Sequence, residues 1–146
     1  MDNIAKKKID EIYSTGQVVS EFDKTTHTIF PVSIDPVEGK SLQEVVKQEN
    51  PKTVIEIGLG YGFAALNVFA GINISKGKDF RYITIDPNQE SRFSNIGLQL
   101  LQEIEASDCV EFHNSLSELV LPHLIEANEK ADFAIVMVIT DSNMFL

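Results

Sequence analysis

A short apolar segment that runs straight into three alternating glycines is the feature that most restricts this chain. Val54-Ile55-Glu56-Ile57 leads into Gly58-Leu59-Gly60-Tyr61-Gly62, and an apolar stretch, Phe63 to Ile72, follows at once. The branched residues predict a strand over 53–57 and the later stretch predicts a helix over 63–72. Glycines between them let the backbone turn sharply and approach a ligand beside the positive end of the helix. The same alternation continues, with strands predicted at 81–85, 109–112 and 133–138 and helices at 91–106 and 115–128. Strands separated by helices need crossover connections. The expected fold class is therefore α/β, a Rossmann-like doubly wound parallel sheet with helices on both faces.

Upstream, residues 3–15 read as a helix with Ile4, Ile9, Ile12 and Tyr13 roughly on one face and Gly16 as its stop, and residues 17–34 read as extended or irregular. Asp35-Pro36-Val37-Glu38 has the form of a capping box, and Leu42, Val45 and Val46 are the expected buried stripe of the helix it opens. A second capping box is expected from Ser115 and Glu118, with the helix broken or kinked near Pro122. The organisation expected is one domain: a helical cap segment (1–50), the core (51–134) and a tail (135–146).

Composition narrows the partners. The 22 acidic and 12 basic residues give a formal charge of -10, which disfavours a broad nucleic-acid face, since phosphate contacts need clustered Lys and Arg. Lys6-Lys7-Lys8 is too short a run to supply one. The single cysteine, Cys109, is expected in a buried strand; it cannot form an internal disulfide, so a cytoplasmic, reduced setting is expected. The apolar stretch Ala134 to Ile139 is too short to cross a bilayer, so no membrane association is expected.

The ligand class follows from spacing and charge. A dinucleotide fingerprint needs glycine three residues after Gly60, where this chain has Phe63. Glu56 would repel a pyrophosphate over the loop, whereas S-adenosylmethionine (SAM) has no phosphate and bears ammonium and sulfonium charges. Asp86, closing the apolar segment Tyr82-Ile83-Thr84-Ile85, lies 24 residues beyond Gly62. That is close to the offset of an acid that accepts hydrogen bonds from ribose hydroxyls.

Together, Glu56-x-Gly58-x-Gly60-x-Gly62, Asp86 and Asn114-Ser115 resemble the SAM-binding motifs of class I methyltransferases, the O-methyltransferase-like branch in particular. In that branch a segment before the first core strand folds over the cofactor, and Phe30 to Lys40 occupies its place. The resemblance implies SAM as cofactor, with Glu56 and Gly58, Gly60 and Gly62 holding the methionine part, Asp86 the ribose and Asn114-Ser115 the adenine edge. It places Ile34 near the methionine moiety. The implied partner is a small-molecule methyl acceptor of unknown identity.

Catalytic residues cannot be named from the sequence. His27 and Glu38 precede the loop but read as surface or capping residues. His113 reads as a strand-end residue near adenine and His123 as a helix-surface residue; ten residues apart, they lack metal-ligand spacing, and no metal site is expected. The resemblance also implies an Asp-Gly turn after the fourth core strand and further strands that build the acceptor site, which this chain does not show. The expectation is a truncated product, with self-association through the exposed sheet edge. Back-translation adds a frameshift: Met137-Val138, read one nucleotide earlier, forces a glycine codon, and the neighbouring codons permit Asp-Gly-Asn-His-Arg-Phe. Two other readings stay open. One is a small active enzyme that completes its site by dimerisation; the other is a non-catalytic nucleotide-binding or interaction protein.

Overall fold

The structure, a computed structural model, describes residues 3–72 and 79–137. Helix α1 (Ile4–Thr15) starts where the Asn3 side chain accepts the Lys6 N–H, and it stops where Gly16 turns left-handed and donates to the Ile12 carbonyl. A short hairpin follows, β1 (Gln17–Val19) paired antiparallel with β2 (Thr26–Thr28), within the segment expected to be extended or irregular. Helix α2 (Pro36–Glu49) opens on the expected capping box, with Asp35 accepting from the Glu38 N–H at 2.8 Å. Its buried stripe is narrower than expected. Val46 is 0% exposed and Leu42 half-buried, but Val45 is 44% exposed, because its side of α2 faces away from the core.

The core then alternates as the sequence predicts: β3 (Thr53–Ile57), α3 (Phe63–Gly71) and β4 (Arg81–Ile85). The helix expected over 91–106 is instead two, α4 (Gln89–Phe93) and α5 (Ile96–Glu103). Between them Ser94 and Asn95 adopt positive φ values of 48° and 58°, which interrupts the hydrogen-bond ladder; short polar side chains tolerate that conformation best. Cys109 is not in a strand. It ends a single 3-10 turn (Ser107–Cys109), half-buried, with its thiol donating to the Ala106 carbonyl, and β5 begins one residue later (Val110–His113).

Helix α6 (Ser117–Glu126) has Leu116 at its N-cap position, so the Ser115 capping box does not form. The helix runs through Pro122 unbroken, since burial of Val120 and Leu124 against Ile83 and Ile85 holds both sides of the proline in place. Strand β6 (Phe133–Val136) closes the described core, with Ile135 and Val136 paired to β3; residues 138–146 of the expected tail lie outside the described residues.

Strands β5-β4-β3-β6, in that order, form one all-parallel sheet. Register puts Ile57 opposite both Ile85 and Val136, and Ile85 opposite His113. All four strands therefore end at one edge. Side chains alternate across the sheet. Val54 and Tyr82 enter the large cluster shared with α1, α2, α3 and α5, while Ile55, Ile83 and Ile85 meet α6 on the other face. Helix α3 is buried from Phe63 to Ala70 because α1 and α2 both pack on it.

Candidate functional site

The loop after β3 has the geometry that its glycines were expected to provide. Gly58, Gly60 and Gly62 all have positive φ, at 89°, 56° and 86°. Gly62 is doubly constrained, because a Cβ there would lie 3.1 Å from the Cα of Gly97 on α5. Any side chain would push loop and helix apart. Gly97 is itself a requirement that the motif did not announce: its Cβ would meet the Gly60 carbonyl at 2.6 Å. Among the described residues no side chain caps the N-terminus of α3, so its first turn keeps N–H groups for a ligand or water.

Glu56 is where sequence and structure diverge most. Its side chain points into the helix-covered face, 0% exposed, where the Thr84 hydroxyl donates to Oε1 at 2.9 Å. Burial pushes its pKa up to about 8, against the opposing effect of the Thr84 hydrogen bond. At neutral pH Glu56 is mostly protonated. It is thus a neutral buried group in this state rather than the charged carboxylate beside the loop that the ligand argument assumed. Its Oε2 and the Tyr82 hydroxyl are both buried; they are near enough to influence each other's titration, but neither makes a hydrogen bond of good geometry among the described residues.

Asp86 stands at the expected strand end but turns into the loop, 2% exposed. Its carboxylate accepts the Gly60 N–H at 2.9 Å, the Asn88 N–H at 2.8 Å and the Gln89 Nε2 at 3.0 Å. Gln89 also donates to the Gly60 carbonyl at 2.7 Å, so the two residues brace the glycine loop from beneath. With three of about four acceptor directions taken, little of Asp86 remains for a ligand. No spacing rule singled out Gln89.

The remaining candidates lie at the same sheet edge or beside it. Asn114 (exposed) and Ser115 (half-buried) directly follow β5, whose His113 carbonyl accepts the Asp86 N–H at 3.0 Å. Ile34 is half-buried, and its carbonyl accepts the Tyr13 hydroxyl at 2.8 Å. Glu38 is the capping residue it was read as, and His123 is a surface residue. His113 pairs with Glu111 at 2.9 Å. His27 is more than a surface residue: half-buried, it places Nδ1 3.0 Å from the Tyr61 hydroxyl inside the glycine loop. Among the described residues no group of three or more His, Cys, Asp or Glu could hold a metal, and no helix is long and apolar enough to cross a membrane.

A parallel sheet with a glycine loop after its first core strand, a helix packed against that loop and an acid after the neighbouring strand is a Rossmann-like methyltransferase architecture. The model of the O-methyltransferase family matches residues 10–146, and the chain belongs to that family. Its fold is similar to that of an O-methyltransferase from Bacillus cereus solved with SAH (TM-score 0.62, 17% identity, 93% of this chain and 55% of that one). It is also similar to the O-methyltransferase TomG from Streptomyces achromogenes solved with SAM (0.65, 20%, 94% and 55%). A third is the SAH-bound methyltransferase PaMTH1 from Podospora anserina (0.65, 14%, 94% and 51%). The chain spans about half the length of these structures. No curated protein matches it in sequence.

Proposed function

We propose that the glycine edge binds SAM and that the chain is the cofactor-binding part of a SAM-dependent O-methyltransferase acting on a small-molecule acceptor. One observation supports this above the others: a loop of three positive-φ glycines, braced by Asp86 and Gln89, stands before an uncapped helix. That donor set suits a carboxylate such as that of SAM's methionine part. In this reading Gly58, Gly60, Gly62 and the first turn of α3 hold the methionine part, with Ile34 alongside. Asn114 and Ser115 meet the adenine. Asp86 serves the ribose with its one remaining acceptor direction, and its larger task is to shape the loop. The bound cofactor supplies an electrophilic methyl group.

Three further parts of the reading rest on sequence. The lone cysteine argues for the cytoplasm, residues 1–50 act as a cap on a core of 51–134, and the chain self-associates through its apolar sheet edge. Back-translation around Met137 permits a frameshifted tail, in which case SAM binds but methyl transfer is undetectable. Reading the coding DNA decides it: a minus-one frame that meets an early stop ends the idea.

Titration calorimetry with SAH and with NAD tests the cofactor. SAH should bind and NAD should not. Asp86→Asn should weaken SAH binding by roughly tenfold or more, the scale of a charge-assisted hydrogen bond. Tighter binding of NAD than of SAH would reverse the assignment.

A further inference from the structure

The glycine loop is held from above as well as from beneath. Tyr61 sits between two positive-φ glycines, and its side chain adds a second hold on the loop. Phe93 of α4 meets the Tyr61 ring edge-on at 5.0 Å, and His27 of β2 lies 3.0 Å from its hydroxyl. The other ring nitrogen of His27 reaches the Ser94 hydroxyl at 3.1 Å and the Thr25 hydroxyl at 2.9 Å. Ser94 donates onward to Asp23 at 2.6 Å. Those hydroxyls hold the Asp23 carboxyl below the usual carboxylate range. A chain of polar contacts thus runs from the hairpin turn, through the α4–α5 break, into the cofactor loop.

The hairpin does not depend on His27 for its own attachment. The Gln99 side chain accepts the Glu21 N–H at 2.9 Å and donates to the Val19 carbonyl at 3.2 Å, and the Ser20 hydroxyl donates to the Ser94 carbonyl at 2.7 Å. What His27 adds is its contact with Tyr61. Both of its ring nitrogens are engaged in this arrangement.

We propose that His27 is a positioning residue for the cofactor loop, tying the seating of the β1–β2 hairpin to the conformation of Gly60-Tyr61-Gly62 through the Tyr61 hydroxyl. The proposal rests on the reading that this loop binds SAM. Its physical basis is preorganisation: a loop ordered before the ligand arrives loses less conformational entropy on binding.

The test is SAH calorimetry on the full chain and on His27→Ala, His27→Asn, His27→Gln, Tyr61→Phe and Gln99→Ala, with a melting temperature for each. His27→Ala and Tyr61→Phe should each weaken SAH about tenfold, and the double variant no further, because they break one contact. His27→Asn keeps a polar group at the Nδ1 position and should bind nearly as wild type does; His27→Gln keeps one at the Nε2 position and should behave as His27→Ala does. Gln99→Ala should lower the melting temperature and leave affinity unchanged. Hydrogen exchange supplies a readout without cofactor: amides 60–62 should exchange faster in His27→Ala and not in Gln99→Ala. Affinities that merely follow melting temperature, or a His27→Asn as weak as His27→Ala, overturn the positioning role while leaving SAM binding intact. A wild type that binds no SAH but shows the expected exchange pattern overturns the cofactor reading and leaves the hairpin coupling standing.

Discussion

The two faces of the parallel sheet are built to different depths. On one, α1, α2, α3 and α5 enclose a continuous core that includes Val54, Phe63, Leu66, Tyr82 and Leu100, and it also surrounds Glu56. On the other, α6 contributes Val120 and Leu124 against Ile83 and Ile85, while Leu116, Leu119, Ile125 and Val136 remain exposed. The deep face is the one that shapes the glycine edge, since α3 and α5 close on the loop there. Depth on that side has a cost, which is a carboxyl group placed where it can hardly ionise.

Truncating the deep face gives the largest expected effect. Leu66→Ala should destabilise the chain by about 3 to 5 kcal/mol, against about 2 kcal/mol for Leu124→Ala at the edge of the shallow cluster. Urea denaturation of both variants measures the difference, and equal losses would mean that the two faces are energetically alike.

Glu56 sharpens the comparison through pH. Its folded pKa of about 8 lies above the ordinary value of 4.5, so the folded state holds a proton that the unfolded chain has released. Stability from this group is therefore intact below about pH 4.5, declines between there and about pH 8, and levels off above. Glu56→Gln should remove that decline and be more stable than wild type at pH 9 by roughly 2 to 4 kcal/mol. Parallel pH profiles for the two proteins would show that Glu56 ionises freely.

The smallest effect is expected on the shallow face. Leu119 is 57% and Ile125 75% exposed, so Leu119→Glu and Ile125→Glu should each change stability by no more than about 0.5 kcal/mol. Both leave the sheet edge untouched, so the self-association proposed for that edge should be unchanged. Sedimentation velocity reads the outcome, and reduced association would move the contact from the sheet edge to the exposed face of α6.

Much of the fold was legible in advance because its signals are local. The Asp35 capping box, the strands around Ile55 and Ile83, and the positive-φ glycines depend on residues within a few positions of one another. The α4–α5 break was missed because Ser94 and Asn95 look compatible with a helix, and only tertiary contacts, such as the one from Ser20, favour their left-handed turn. The Ser115 capping box failed for the converse reason: its pattern is present, but the helix begins two residues later.

The sequence by itself determined the alternation of strands and helices and the glycine loop they present, since periodicity and glycine spacing act within one strand–turn–helix unit. Only the tertiary structure decided what the candidate groups do there. Glu56 meets Thr84, Asp86 meets Gly60 and His27 meets Tyr61 across separations of 28, 26 and 34 residues. Whether a carboxyl is charged or an imidazole free depends on such neighbours and on burial, which no local pattern specifies.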